Sequence, residues 1–380
     1  MTSKERMRIT MRGGRADRVP AAPDLSNMVP CRLTGKPFWD VYLYRDPPIW
    51  KAFIDAVKHF GIDGFMDCHV ATGFVDDAAP EPNPWQEVIV ERTAERIITR
   101  RRRIEDEGEV WRPDARVYRV ADSPANVDDA TVLGLPETPT DWEPVEGVRE
   151  WPTGLDLYRL IHAEMGEAGV VGVHCGGSLM IRNDREAVDF YDHPEVYRER
   201  SRRMLDSVDQ RFERLMALDP PPDVVCCGGS GTLIFQTPAV FRELGLPIVK
   251  RVAALCREAG VPSHVHSCGP ERALVEICAR ETDLSVIDPL ERPPMGDCHL
   301  RDLRTLVGDR LCLKGNLHTT DHMLRGSKDD VLAASREAIG DAAWDGPFIL
   351  STGDQCGRDT PDENIAAMIE AVETWGRYQP

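Results

Sequence analysis

PSHVHSCGPERALVEICAR, residues 262–280, places a short apolar run directly before a helical pattern. The run Ser263–His266 has the length of a strand, and the Gly269-Pro270 pair suits the start of a helix. From about residue 154 onward, the same alternation of short apolar runs and helical stretches recurs along the chain. Strands that alternate with helices in this way are typical of βαβ units and a parallel sheet.

Eight strands can be predicted from the whole chain, which is the number that closes a barrel. They are Val19–Ala22, Gly64–Asp67, Val170–Val173, Asp223–Cys227, Ser263–His266, Leu284–Ile287, Leu311–Lys314 and Phe348–Leu350. The predicted helices are Ile49–Phe60, Pro194–Leu218, Pro238–Glu258, Pro270–Arg280, Asp329–Ala342 and Pro361–Trp375. The sequence therefore predicts an α/β fold, one (β/α)8 TIM-type barrel that spans residues 1–380 as a single domain.

Residues 85–120 have a different pattern, in which β-branched and charged residues alternate. The pair Glu107-Gly108 in the middle of this stretch has the character of a turn. Alternation of this kind is typical of antiparallel strands with one solvated face. We expect an antiparallel hairpin or small sheet inserted in the barrel.

Composition and charge restrict the class of protein. Apolar residues make up 42% of the chain and charged residues 29%, which is a globular balance. The net charge of −18 disfavours nucleic acid or an anionic membrane surface as a partner. The charged start MTSKERMRITMRGG does not resemble a secretory signal, and no run approaches the roughly 20 apolar residues of a membrane span. We expect a cytoplasmic protein whose 11 cysteines are reduced thiols or metal ligands.

Three side chains form a candidate metal site. In a barrel, reactive groups lie at the carboxyl ends of strands and in the loops that follow. His266 and Cys268 lie two positions apart at such an end, and Cys356 lies in the loop after the last strand. One His and two Cys suit a catalytic zinc, because three protein ligands leave the fourth position open. A cysteine at a strand end is more often a packing residue, so the spacing alone leaves that alternative open.

Four segments resemble a known family. They are ERMRITMRGGRADRVP (5–20), VVCCGGSGTLIFQTPAVFRELGLPIVKRV (224–252), IDPLERPPMGDCHLRDLRTLVGDRLCLKGNLHTTDHML (287–324) and ILSTGDQCGRDTPDENIAAMIEAVETWGRY (349–378). Together they resemble the uroporphyrinogen decarboxylase superfamily, which includes zinc-dependent cobalamin:thiol methyltransferases. The closing segment is the most specific of the four.

The decarboxylase branch carries an arginine-rich segment of the form RQAGRY that grips the propionates of a tetrapyrrole. The corresponding stretch here, PDLSNMVPCRLTGKPFWDVYL (23–43), lacks it. Without those cations, many substrate carboxylates would stay unpaired. The methyltransferase branch binds zinc through a His-x-Cys pair and a distant Cys, and the matching positions are His266, Cys268 and Cys356.

The resemblance thus implies a zinc-dependent methyltransferase with a corrinoid (cobalamin) as co-substrate. A methyl group would move between methylcobalamin, or a separate corrinoid protein, and a small-molecule donor or acceptor. That small molecule is a thiol or a methoxylated compound, and the sequence leaves the direction open. Two alternatives remain: a decarboxylase or other lyase acting on a small or tetrapyrrole acid, and a barrel that binds a partner without catalysis.

Further residues follow predicted strands and are candidates for the pocket. His174, His318 and Asp354 are the candidate catalytic residues, and Gly228, Gly229 and Gly231 are candidates for contact with a flat cofactor. The decarboxylase branch has Asp after the triplet GNL, so His318 is a departure from that pattern. The alternative for each polar residue is a satisfied group at the barrel rim. Asp67, Cys68 and His69 are weaker candidates of the same kind.

Overall fold

The computed structural model describes residues 1–66, 85–106 and 108–378. The chain divides into two compact units. The first is built from the described parts of Met1–Asp24, Val57–Thr72 and Ile161–Pro380, and the second from those of Leu25–Ala56 and Gly73–Leu160.

Twelve strands are described, and they form two sheets. In chain order they are β1 (Gly64–Met66), β2 (Gln86–Arg92), β3 (Arg96–Glu105), β4 (Gly108–Arg119), β5 (Ala125–Val127), β6 (Glu143–Pro144), β7 (Gly169–His174), β8 (Val224–Cys226), β9 (Ser263–His266), β10 (Val286–Asp288), β11 (Cys312–Leu317) and β12 (Phe348–Thr352).

The α-helices of the described chain are α1 (Ser3–Met11), α2 (Met28–Leu33), α3 (Phe38–Tyr42), α4 (Ile49–Phe60), α5 (Gly154–Met165), α6 (Asp184–Asp192), α7 (Pro194–Met216), α8 (Pro238–Leu244), α9 (Leu246–Ala259), α10 (Arg272–Glu281), α11 (Leu300–Val307), α12 (Lys328–Ala342) and α13 (Asp362–Trp375). Among the residues that the structure describes, no helix is both long and apolar enough to cross a membrane.

The first unit is a parallel barrel. Seven strands pair in the order β1, β7, β8, β9, β10, β11, β12. The predicted first strand closes the circle as a short bridging segment: the amide of Ala22 donates to the carbonyl of Leu350 in β12 at 2.8 Å. On its other side, the amide of Asp63, just before β1, donates to the carbonyl of Ala21 at 2.8 Å. The predicted TIM-type (β/α)8 fold is therefore confirmed.

Two predicted elements differ from the structure in an informative way. The single helix predicted over Pro238–Glu258 is two helices, α8 and α9, which meet at Gly245. A Cβ on Gly245 would lie 2.5 Å from the carbonyl oxygen of Ser178, so the chain needs glycine at this join. Strand β10 begins and ends later than predicted, at Val286 and Asp288, so an aspartate is the last residue of that strand.

Apolar side chains fill the amino-terminal end of the barrel. Met7 and Met11 of α1 pack into one buried cluster with residues of β7, β8, β10, β11 and β12. Helix α1 begins with a capping box, in which the Thr2 side chain accepts from the Glu5 amide while the Glu5 carboxylate accepts from the Thr2 amide. This end of the barrel is closed, so polar chemistry is left to the carboxyl ends of the strands.

The second unit contains an antiparallel sheet with the strand order β5, β4, β3, β2, β6. Strands β3 and β4 form a hairpin in which Glu105 pairs with Gly108; Glu107 lies outside the described residues. The inserted antiparallel segment is confirmed, and it is the small sheet rather than a lone hairpin. The sheet extends to Pro144, well beyond the predicted limit at residue 120, because the two-residue strand β6 (Glu143–Pro144) pairs with the edge of β2.

Candidate metal centre at the carboxyl end of the barrel

Four neighbouring strands bring polar residues to one side of the barrel rim. His266 ends β9 and Asp288 ends β10, while His318 follows β11 and Asp354 lies two residues after β12. These strands are consecutive in the sheet. Because parallel strands end at the same edge, side chains that are far apart in the sequence meet here.

Three potential metal ligands lie close together on this rim. The Sγ of Cys268 and one carboxylate oxygen each from Glu291 and Asp354 all lie within 4.8 Å of one another. Glu291 is buried, and its Oε2 accepts from the amide of Gly269 at 2.5 Å. Burial raises the pKa of Glu291, and the nearby charge of Asp354 raises it further. A thiol and two carboxylates so arranged form a candidate cation site.

The backbone at Asp354 is strained. Its φ angle is +106°, in a region that side chains other than glycine rarely adopt. The carboxylate of Asp354 lies near the thiol of Cys268, and strained backbone of this kind concentrates at functional sites. The sequence placed Asp354 at the rim but gave no sign of its unusual conformation.

His266 and Cys268 are in contact, as their spacing predicts. The imidazole of His266 hydrogen bonds both Cys268 and Asp288, and its Nδ1 lies 2.9 Å from Oδ1 of Asp288. Burial alone would lower the pKa of His266, but the charge and hydrogen bond of Asp288 outweigh burial and raise it well above its usual value. A histidine held through Nδ1 by a carboxylate keeps its other nitrogen for a metal, which is the usual arrangement behind a metal ligand.

Asp288 is the hub of a buried charge network that sequence reasoning missed. Lys314 of β11 pairs with its Oδ2, and Nε2 of His264 lies 3.0 Å from its Oδ1. Burial would raise the pKa of Asp288, but Lys314 and the two histidines together hold it well below the usual value. The ammonium group of Lys314 also lies 5.3 Å from the centre of the Phe65 ring. Asp288 is therefore a fixed anion that holds the ring of His266.

Cys356 is buried in the loop after β12. Its amide donates to the carbonyl of Asp24 at 2.8 Å, and its thiol hydrogen bonds Thr352 and Thr360. Burial raises the pKa of Cys356 to about 12. Cys356 and His266 are not members of the three-atom group of Cys268, Glu291 and Asp354. The structure thus joins the predicted ligands His266 and Cys268, and the complete set of His266, Cys268 and Cys356 stays a prediction.

The two candidate catalytic histidines both engage Nδ1, but one donates through it and the other accepts. Nδ1 of His174, at the end of β7, lies 3.2 Å from the carbonyl of Gly176, so this nitrogen carries a proton and donates it. Nδ1 of His318 instead accepts from two backbone amides, those of Thr320 and Asp321. The catalytic roles of both histidines stay predictions.

Local contacts or backbone conformation explain why each candidate cofactor-binding position is a glycine. A Cβ on Gly228 would lie 2.5 Å from the amide nitrogen of His266, and one on Gly229 would lie 2.5 Å from Cβ of Leu179. Gly231 has a φ of +74°. Close approach to β9 explains Gly228, close approach to Leu179 explains Gly229, and a positive φ explains Gly231. Their contact with a flat cofactor stays a prediction.

Ser230, within the same glycine-rich loop, was also missed. Its Oγ lies 2.8 Å from the Sγ of Cys268, so the loop after β8 reaches the candidate metal ligand. The stretch IDPLE (287–291) did contain a signal for the other missed residues, because Asp288 ends an apolar strand and Glu291 lies three residues later. Asp67, Cys68 and His69 lie outside the described residues.

Glu271 is a further buried acid beside this centre. It is fully buried; its Oε2 accepts from the amide of Leu290 at 2.7 Å, and its Oε1 has no hydrogen-bond partner in the described chain. Burial raises its pKa well above the usual value, and the charges of Asp288 and Cys268 add to that effect. The rim thus holds three buried acid groups, Asp288, Glu271 and Glu291.

The donor atoms fit zinc. An imidazole nitrogen, a thiol sulfur and carboxylate oxygens are the ligands that zinc takes in catalytic sites. The thiol and carboxylates of Cys268, Glu291 and Asp354 already lie within reach of one ion, and the ring of His266 contacts Cys268. An acidic cluster with an oriented histidine is the arrangement expected around a divalent cation.

The fold and this centre define a (β/α)8 barrel with a candidate metal site at the carboxyl ends of its strands. Residues 224–375 match the family model of uroporphyrinogen decarboxylase (URO-D). Over this stretch the chain is similar to the uroporphyrinogen decarboxylase family.

One curated protein and one solved structure are similar to this chain. A uroporphyrinogen decarboxylase of Anaeromyxobacter dehalogenans is 27% identical over 173 residues, which cover 43% of this chain. The match spans about half the length of that relative, 47%. A methyltransferase from Methanosarcina mazei is 14% identical with a TM-score of 0.60, and the alignment covers 98% of this chain and 99% of that one. At this identity the likeness shows a shared fold.

Proposed function

We propose that this protein is a zinc-dependent methyltransferase that moves a methyl group between a corrinoid and a thiol or a methoxylated small molecule. The observation that carries the proposal is the grouping of Cys268, Glu291 and Asp354 beside a histidine that a buried aspartate orients. The structural likeness to a methyltransferase of Methanosarcina mazei supports the proposal at the level of the fold.

In this proposal His266, Cys268 and Cys356 hold the zinc, and Glu291 is the candidate for the remaining position in the absence of substrate. Zinc bound there supplies a Lewis acid for the sulfur or oxygen of the substrate. Glu291 suits this position because one of its carboxylate oxygens lies within 4.8 Å of the thiol of Cys268.

The surrounding residues position these ligands. Asp288 accepts from Nδ1 of His266 and fixes the orientation of the ring. Lys314 keeps Asp288 ionised through their buried ion pair. Ser230 contacts Cys268 from the neighbouring loop and restricts where the sulfur can move. The corrinoid enters the proposal as a co-substrate, either free or carried on a separate corrinoid protein.

The second candidate function is decarboxylation of an organic acid, which the name of the Anaeromyxobacter relative favours. The local charges oppose it, because Asp24, Glu291 and Asp354 are all acids that influence the same rim. A substrate with several carboxylates would meet like charges there instead of the cations that such substrates need. Methyl transfer is therefore the better supported of the two.

Metal analysis and cobalt spectroscopy test the proposal together. We expect about one zinc per chain after zinc loading and dialysis. The zinc-loaded protein is then mixed with methylcobalamin and thiols, and separately with cob(I)alamin and methoxylated compounds, and the cobalt absorption is followed. A change in cobalt absorption that requires zinc supports methyl transfer. A zinc-free protein that releases CO2 from organic acids would establish the second function instead.

A further inference from the structure

A cavity of about 480 Å³ lies against the antiparallel sheet of the second unit. All its lining residues fall within 85–128, so the cavity belongs to that unit alone. The pairing of β3 with β4 shifts register here, and three residues, 112–114, lie opposite the single residue Arg101. β-bulges of this kind bend a sheet and are frequent beside functional sites. A concavity of this size can hold a small molecule.

The strand register tells which side chains share the face of the cavity. Thr99 and Arg101 of β3 are two positions apart, and alternate side chains of a strand point to the same face. Arg101 is paired with Glu87 of β2, and Thr99 with Arg116 of β4. Arg116 is paired in turn with Asn126 of β5. A row of polar residues therefore crosses four strands, and every one of them lines the cavity.

Two opposite charges in this row neutralise each other. The carboxylate of Asp114 accepts from the guanidinium of Arg101 and, at 2.9 Å, from Nε of Arg112. A carboxylate held between two guanidinium groups is fully compensated within the protein. Any recognition of a charged ligand therefore depends on the other charged residues of the lining.

Glu87 has a fixed carboxylate that no cation neutralises. Its Oε1 accepts from the hydroxyl of Thr99 at 2.5 Å and from that of Tyr118 at 3.2 Å. Both hydroxyl residues are buried, so they hold the carboxylate in one orientation. Within the described ranges, Glu87 has no Lys or Arg partner, and its Oε2 has no hydrogen-bond donor. Oε2 is therefore available to a ligand.

Arg116 and Asp128 line the same cavity, but they do not pair with each other. The guanidinium of Arg116 lies 5.2 Å from the centre of the Tyr118 ring, and no carboxylate of the described chain contacts it. Asp128 directly follows β5, two positions beyond Asn126, and it also has no partner among the described residues. The cavity thus holds a free cation and free carboxylates at once, with space between them.

We propose that this cavity binds a small zwitterion of the α-amino acid class. The carboxylate of the ligand pairs with the guanidinium of Arg116. The ammonium group has three N–H donors, which meet the carboxylates of Glu87 and Asp128 and the side-chain oxygen of Asn126. Trp85, the aromatic residue of the lining, offers an apolar wall to the ligand's side chain. This site is separate from the metal centre and does not depend on the chemistry proposed there.

Both charges of the ligand are needed in this arrangement. A ligand with a carboxylate alone would bring a third negative charge to Glu87 and Asp128, and a ligand with an ammonium group alone would leave Arg116 unpaired. An α-amino acid carries both groups on one carbon atom, so it can bridge the free cation and the free carboxylates.

Calorimetric titration of the intact protein with the standard α-amino acids, one at a time, tests the proposal. We expect at least one of them to bind with a Kd below about 1 mM. The N-acetyl derivative of that amino acid lacks the ammonium group, and its amide lacks the carboxylate. Each derivative should bind at least about 10-fold more weakly than the parent, because each loses one charged contact.

Two substitutions place the ligand in the cavity. Arg116→Gln and Glu87→Gln each remove one charge at an exposed position, and the second keeps an oxygen that can accept from Thr99 and Tyr118. Each should weaken binding about 10- to 100-fold. The matched control is Arg119→Gln, an exposed arginine of the same strand that does not line the cavity, and it should bind as wild type does. Circular dichroism checks that all three variants are folded.

Three results would overturn the inference. The first is the absence of binding by every amino acid. The second is an N-acetyl derivative that binds as tightly as its parent, which would define a site for acids instead of zwitterions. The third is unchanged binding in both Arg116→Gln and Glu87→Gln, which would place the amino acid elsewhere on the protein.

Discussion

A buried aspartate lies at each end of the barrel, but the two differ in their partners. Asp63, just before β1, is fully buried and pairs with two guanidinium groups, those of Arg6 and Arg18. It also accepts from the amide of Ala21 at 2.8 Å. All these partners are permanent cations or backbone groups. The charge of Asp63 at the amino-terminal end is therefore fixed and neutralised within the protein.

At the carboxyl end, Asp288 pairs with Lys314 and two histidines, groups whose charge or hydrogen bonding a ligand can change. Glu271 and Glu291 add buried acids whose pKa values are raised by burial. A cluster of charged groups that served only stability would be neutralised within the protein, as the cluster around Asp63 is. The group of Cys268, Glu291 and Asp354 at the carboxyl end is a candidate site for a cation from outside the protein.

The largest effect should come from Cys268→Ala. Loss of a direct ligand should abolish stoichiometric zinc binding and lower methyl transfer by more than the roughly 10–100-fold typical of groups behind a ligand. Zinc content by elemental analysis and the cobalt absorption assay measure both effects. The matched control is Cys256→Ala, a buried cysteine of α9, which should keep its zinc. Full zinc content in Cys268→Ala would remove Cys268 from the site.

Asp63→Asn should give the next largest effect. It should lower the free energy of unfolding and leave zinc binding unchanged. Removing the charge leaves Arg18 without its carboxylate and Arg6 with only Asp17. Breaking a buried ion pair in this way costs about 3–5 kcal/mol of the free energy of unfolding. Urea denaturation followed by circular dichroism measures it. If the two ends of the barrel differ as described, the folded variant binds zinc as wild type does.

The sequence predicts the strands of the barrel and most of its longer helices, because these elements leave a local pattern. The segment Ser263–His266 has the same bounds in the prediction and in the structure, as does Ile49–Phe60. The inserted sheet was underestimated because Glu143–Pro144 is too short to leave any pattern of its own. Its pairing with β2 is set by tertiary contacts, which a single sequence does not reveal.

The candidate site was predicted only in part. The contact between His266 and Cys268 follows from their alternate positions at a strand end, a local feature. Asp288 and Glu291 were missed because a carboxylate after a strand is common, and only the fold brings them to His266 and Cys268. The reversed hydrogen bonding of His318 depends on the backbone of a π-helical turn, which no residue pattern specified.

The amino-terminal end also contains a histidine that should govern acid stability. Burial lowers the pKa of His162 to about 4, although Asp223 acts in the opposite direction. The folded state therefore binds this proton more weakly than the unfolded state, whose pKa is about 6.5. The stabilisation is complete above about pH 6.5 and is lost as the pH falls toward 4, in total about 3 kcal/mol. His162→Gln should reduce the loss of stability between pH 7 and 4.5 in urea denaturation, whereas His193→Gln, at an exposed position, should not.

Asp288→Asn should lower zinc binding less than Cys268→Ala does, and it tests the comparison most directly. The amide keeps the shape of the side chain but holds the ring of His266 more weakly, because the charge that Lys314 and the histidines share is gone. Zinc affinity should fall about 10–100-fold, measured by competition with a chromophoric chelator, because the lost partner lies behind the ligand. Nitrogen NMR of the imidazoles should also show His266 with a less fixed tautomer. Asp63→Asn is the matched control at the opposite end, and equal zinc affinities for the two variants would mean that both aspartates serve stability alone.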